Sequence, residues 1–188
     1  MKDLIKMFFL LCLAGILATG FISCNNDKKD NKEAAPEKNV KKYDDKENER
    51  DSQLVVDMVE RNYAEIKMVQ LAKERSTNVE VKDLANYLEK QHKEVLSELK
   101  NLAGKKGIAI STEENEKSRD KIKVLSDTKA NEFDKKWCKE LMDKHEKSIN
   151  KLESANIVDP DLKGWVAELL PKLRIHHDRL MQCHNKLK

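Results

Sequence analysis

Glycine, proline and aromatic residues are all in short supply in this chain. Its 188 residues include five glycines, three prolines and 5% aromatics, while Lys, Glu, Leu and Ala dominate. That balance favours helix and leaves little material for a sheet. An excess of one charge is lacking too: 37 basic residues face 34 acidic ones, interspersed, for a net charge of +3. So small a surplus makes no electrostatic case for nucleic acid as a partner. There is no Gly-rich phosphate loop, and no nucleophile sits beside a base. Cys138 and His145 share a stripe but lie about two helical turns apart, too far for direct proton transfer. The chain reads as a binding or structural protein, not an enzyme.

Long apolar runs are missing except at the start, "MKDLIKMFFLLCLAGILATGFISC". Lys2 and Lys6 precede an apolar stretch that closes on small Ser23 and then Cys24. An ordinary export signal ends in a small-x-small site. A cysteine standing where the mature chain would begin looks like a bacterial lipoprotein signal. Residues 1–23 are then the signal, and Cys24 is the lipidated first residue that holds the protein to a membrane. The alternative is an uncleaved anchor, since the run approaches the shortest length that spans a bilayer. Asn25, in place of an inner-membrane retention Asp, favours the outer membrane, facing the periplasm or the surface. From 25 to 51, 17 of 27 residues are charged, too polar to offset the entropy of ordering. This stretch, with Cys24, reads as a disordered tether over 24–51, leaving 52–188 as the folded domain.

Four segments in that domain carry apolar residues at steps of three and four: 52–75, 78–103, 130–156 and 160–187. Thr77 with Glu80 reads as a capping box and Gly104 as the stop of the second segment. Asp159 before Pro160 opens the fourth. Ser111 with Glu114 suggests a short connecting helix to about Leu125. The expected fold is all-α: an antiparallel up-down-up-down four-helix bundle of ferritin-like kind, with that short extra helix.

Each apolar stripe contains an intruder of ligand type: Glu65, His92, His145 and His176. Glu65 and His92 lie equally far from the turn at 76–78, about 13–14 residues, and His145 and His176 lie about 15–16 residues from the turn near 160. With both turns at one end, the two levels differ by only about 3 Å, so one residue from each helix meets in a single core layer. The same mirror relation sets Cys138 opposite Cys183. In an exported protein an even cysteine pair is expected to form a disulfide, the alternative being two buried thiols. His177 and His184 flank the fourth stripe as half-exposed residues.

At these positions the chain resembles the bacterial envelope proteins grouped as domain of unknown function 4142, placed among ferritin-like bundles. The resemblance runs from about Leu54 to Lys186, through "AEIKMVQLA", "VEVKDLANYLEKQHKEVLSELKNLAGKKGI", "EFDKKWCKELMDKHEKSI" and "LLPKLRIHHDRL". The family pattern of one Glu and then one His per helix falls on Glu65, His92, His145 and His176. Gln91 stands where the family commonly has Asp, and the two cysteines lie outside the pattern. No activity comes with the resemblance.

Two functions fit the layer. One is the binding of a metal ion or a small ligand: three imidazoles and a carboxylate suit a divalent transition metal such as Zn or Fe. Alternatively, Glu65 pairs with protonated histidines in a metal-free network that makes the bundle a structural or protein-interaction module. A di-iron centre needs two Glu-x-x-His pairs and two further carboxylates. Glu89 with His92 supplies one pair, but Met142 and Leu173 stand where the others belong.

Overall fold

The computed structural model describes residues 45–187 together with Ala35, Lys38 and Asn39. The expected export signal, the expected lipidation site Cys24 and most of the stretch read as a tether lie outside these residues. Among the described residues the chain is all-α, with five helices and no strand: α1 (Lys46–Arg75), α2 (Val79–Lys106), α3 (Glu116–Ser126), α4 (Ala130–Glu153) and α5 (Pro160–Lys186). None of them is long and apolar enough to cross a membrane.

The helix ends differ from the sequence reading in instructive ways. α1 begins at Lys46, well before the apolar stripe, with Asp45 capping Glu47 N–H and with Glu47 and Glu49 in the first turn. Acidic residues there complement the helix dipole, and Lys and Glu propagate helix without apolar residues. The helix therefore takes in residues 46–51 of the stretch read as a tether. Asp51 is buried, and the Asn39 side chain exchanges two hydrogen bonds with the backbone of Ala109, at 3.0 and 2.9 Å. Asn78, not Thr77, caps α2. That helix runs through Gly104 and stops at Gly107, whose φ of 61° closes it in the left-handed region. Asn115 caps α3, because Ser111 and Glu114 are engaged elsewhere, with Glu60 and Lys67. Asp159 and Pro160 open α5 as expected.

Helix direction corrects a larger expectation. At one end, Asp51 Oδ2 accepts the backbone N–H groups of Val158 and Asp159 at 3.0 and 2.8 Å, and Lys106 donates to Asp159 and Asp161 at 2.6 and 2.8 Å. This end gathers the start of α1, the ends of α2 and α4 and the start of α5. At the other end, Arg75 donates to the carbonyls of Leu125, Ser126 and Thr128 and lies 4.5 Å over the Phe133 ring, while Lys186 reaches Glu80. Hence α1 and α5 run one way, α2 and α4 the other. The order is up-down-down-up, not up-down-up-down. Residues 107–129, which contain α3, carry the chain back along the bundle between α2 and α4. The turns at 76–78 and 154–159 consequently sit at opposite ends.

In cross-section α1 packs against α2 and α4, α5 against α2 and α4, and α3 covers the seam between α1 and α4. The core comes in two parts. One holds Leu54 to Val59, Val95 to Ala103, Leu152 and Leu162 to Leu173. The other holds Met68 to Ala72, Val81 to Leu88, Phe133 to Leu141, Leu180 and Cys183. On every long helix the break between them falls at Glu65, His92, His145 or His176. The glycine assignment is testable. A Cβ at Gly104 meets nothing within 4 Å, so Gly104→Ala should stabilise by up to about 1 kcal/mol. Gly107→Ala should cost about 1–2 kcal/mol. Urea unfolding of both variants checks the signs, and the reverse order would restore Gly104 as the helix stop.

Candidate metal centre

The break in the core is a polar layer at mid-height. Glu65 is 4% exposed, His92 2%, and His145 and His176 0%. The three imidazole rings form a near-equilateral triangle, with centroids 5.3, 5.4 and 5.4 Å apart. One ligand-type nitrogen from each lies within 4.8 Å of the others. Glu65 Oε2 stands 3.2 Å from His92 Nε2 and 4.0 Å from His145 Nε2. All four residues that the stripes single out thus converge, although the argument from turns at one end was wrong. Each residue lies near the middle of its own helix, and the middle is at the same height in either direction.

Hydrogen bonds fix which ring atoms face inward. His92 Nδ1 donates to Asn62 Oδ1 at 3.0 Å, since the Asn62 amide nitrogen is itself spent on the Met58 carbonyl. His145 Nδ1 donates to the Leu141 carbonyl at 2.9 Å. In the neutral rings both Nε2 atoms then carry lone pairs directed at the layer. His176 Nδ1 lies 3.3 Å from His145 Nε2, to which it donates, leaving its own Nε2 buried without a partner. The Tyr87 ring meets His176 edge-on at 5.7 Å, and the Arg179 guanidinium lies 4.0 Å over Tyr87, closing that side.

Burial sets the charges. It pushes His92 down to about 4 and His176 down to about 2, with neighbouring rings adding to the effect on both and Glu65 opposing it at His92. Burial alone would raise the Glu65 carboxyl. The facing rings of His145 and His92 and the cations of Lys144 and Arg61 outweigh it and leave the group below the usual carboxylate range. At neutral pH the layer holds the Glu65 carboxylate together with the uncharged imidazoles of His92 and His176. His92 Nε2 makes no hydrogen bond despite its 3.2 Å approach to Glu65.

A family model described as domain of unknown function, DUF4142, matches residues 36–183. The chain belongs to the DUF4142 family. No curated protein and no solved structure matches it. The DUF4142 match reaches back beyond α1, in keeping with the burial of Asn39.

Other sequence candidates are not in the layer. Gln91 donates to Glu94. Glu89 is held by Lys73 at 2.5 Å and by Lys93 and Gln70, and the Lys73 bond, the largest cause, helps bring its carboxyl down to about 2. His177 and His184 are half-buried on the flank of α5. The expected disulfide is absent. Cys138 and Cys183 are buried free thiols facing each other at 3.3 Å, well beyond the roughly 2.05 Å of a sulfur–sulfur bond. Sequence reasoning passed over Asn62, although it sits three residues before Glu65 in the same stripe. It also passed over the Leu141 carbonyl, which no side-chain pattern marks.

The charges give a pH prediction for metal-stripped protein. Histidines whose folded values lie below 6.5 take up protons on unfolding, so acid favours the unfolded chain. Stability should fall as pH drops from 6.5 toward 4, by up to about 1.4 kcal/mol per pH unit for each histidine. Glu65 adds a further loss below its ordinary value. His92→Gln and His176→Gln should each flatten the slope in urea unfolding between pH 7.5 and 4.5. A flat wild-type profile between 6.5 and 5 would refute the neutral buried imidazoles.

Proposed function

We propose that this DUF4142 protein is a lipid-anchored protein of the bacterial cell envelope whose bundle binds one divalent transition metal ion through Glu65, His92, His145 and His176. Zinc or iron fits the donor set. The observation that carries the reading is the pair of Nε2 lone pairs on His92 and His145, each ring locked by a carbonyl-type acceptor on its far nitrogen and turned toward one carboxylate oxygen. Metal-ligating histidines are commonly fixed in this way, by donating the other ring N–H to such an acceptor. The approaches of 3.2, 3.3 and 4.0 Å bracket the separation of about 3.3 Å between ligands held tetrahedrally at about 2.0–2.1 Å. His176 would join through Nδ1, its proton passing to Nε2. Depressed imidazole values help, since protons then compete little with the ion.

The metal-free network with protonated histidines has less support. It needs a proton on His92 Nε2 aimed at Glu65, and burial and geometry both oppose one. Four protein ligands in a closed core leave no open coordination position, which favours binding, storage or structural support over catalysis. A ferritin-like order is supported by the single long crossover between α2 and α4, a feature of that class. Anchoring at the outer membrane through Cys24 rests on the "FISC" closure of the leading apolar run.

Elemental analysis of mature protein made through its native export route tests the centre. The expected result is one metal per chain, lost in His145→Ala and in Glu65→Gln, with Asn62→Ala weakening affinity about 10–100-fold. Protein that is metal-free, and whose melting temperature ignores added Zn²⁺ or Fe²⁺, would sink the proposal. Cys24→Ser should abolish incorporation of labelled fatty acid, and persistent labelling would dispose of the anchor site.

A further inference from the structure

A second site lies outside the layer, where α3 covers the seam between α1 and α4. A cleft of about 290 Å³ opens there, and five cationic side chains line it: Arg61, Lys117, Lys121, Lys144 and Lys147. Its two acidic neighbours are already engaged. Asp57 accepts from Lys151 and Gln53, and Glu60 from Ser111 and Asn115. Lys121 is paired with Glu140 at 2.8 Å, and Arg61 makes one long bond to Ser148 at 3.4 Å. Lys117, Lys144 and Lys147 make no hydrogen bond or ion pair among the described residues.

Lys144 is the informative one. Its residue is only 8% exposed, yet it lines the cleft and makes no direct ion pair, the carboxylates of Glu65 and Glu140 acting on it only at longer range. Burying an ammonium without a partner is costly. The charge that would relieve it belongs in the cleft. The first turn of α3 opens on the same space, where Asn115, Lys117 and Ser118 line it. A helix N-terminus contributes unpaired N–H groups and the positive end of its dipole. Several cations, a hydroxyl and a helix start around one cavity suit the many acceptor oxygens of a doubly charged tetrahedral anion better than a carboxylate. The volume lies at the small end of ligand pockets, so the bound species is small.

We propose that the cleft between α1, α3 and α4 binds a phosphate group, free or carried by a small monoester, with the Lys144 ammonium as its central contact. The site does not depend on the metal reading, because none of its lining residues is a proposed metal ligand.

Calorimetric titration of the full chain at constant ionic strength tests it, with inorganic phosphate, glycerol 3-phosphate and acetate as probes. Saturable one-to-one binding is expected, at least tenfold tighter for a phosphate compound than for acetate. Tighter binding of glycerol 3-phosphate assigns a monoester, and tighter binding of inorganic phosphate assigns the free ion; either result upholds the site. Lys144→Met should lose at least tenfold in affinity and Lys147→Gln about threefold, while Lys172→Gln, beside Glu98 on another face, should lose nothing. If Lys144→Met loses its helical circular dichroism, the double variant Lys117→Gln, Lys147→Gln decides, since both residues are exposed. Equal, unsaturable responses to all three anions would overturn the proposal, as would a folded Lys144→Met variant that binds phosphate normally.

Discussion

A single carboxylate held in the middle of an apolar bundle is the constraint from which the rest of this molecule follows. Glu65 is almost wholly buried, and its nearest neighbours are imidazole nitrogens from α2 and α4. Above and below it the core is built of Leu, Val, Ala and Met, which pack nearly as well in neighbouring registers. The layer removes that freedom. Sliding one helix by a turn, about 5.4 Å, would face an imidazole with leucine and leave Glu65 against apolar carbon. A buried charge stripped of its partners costs far more than a mismatched pair of methyl groups.

The ends of the bundle do a complementary job. Asp51 and Lys106 tie the α4–α5 turn to the start of α1 and the end of α2. Arg75 fastens the close of α3 at the opposite end by donating to the carbonyls of Leu125, Ser126 and Thr128. Two polar clamps and one polar layer set height, and the apolar stripes between them supply cohesion. α3 then has one remaining place, across α1 and α4, and its arrival there creates the basic cleft.

How much of this is legible in the sequence depends on what each feature rests upon. The helices, the four intruding residues and their common depth follow from period and position, because three- and four-residue steps hold a face whatever lies opposite. Helix direction does not follow from period. A crossover of some twenty residues can return the chain to either end, and the pattern of Ser111 and Glu114 gives no sense of it. The layer survived that error because Glu65, His92, His145 and His176 are each close to mid-helix. Helix ends were misread where charge, not apolar spacing, carries the signal, at Lys46 and at Asn115. The role of the Leu141 carbonyl has no sequence signature at all. Lys144 looked like any solvated lysine, and only the packing of α3 over it makes it a buried cation.

Fold alone would suggest the wrong chemistry for the layer, and charge shows why. Dinuclear centres in ferritin-like bundles place four carboxylates around two ions. Here the core offers one, since Glu89 is held by Lys73 and Lys93, and Met142 and Leu173 take the places where others would stand. Two divalent ions would bring four positive charges against a single negative one, with Lys144 and Arg61 close enough to oppose them. One divalent ion leaves a single net positive charge, which three imidazole donors and one carboxylate commonly stabilise in proteins. The donor inventory, more than the helical frame, suits this core to no more than one ion.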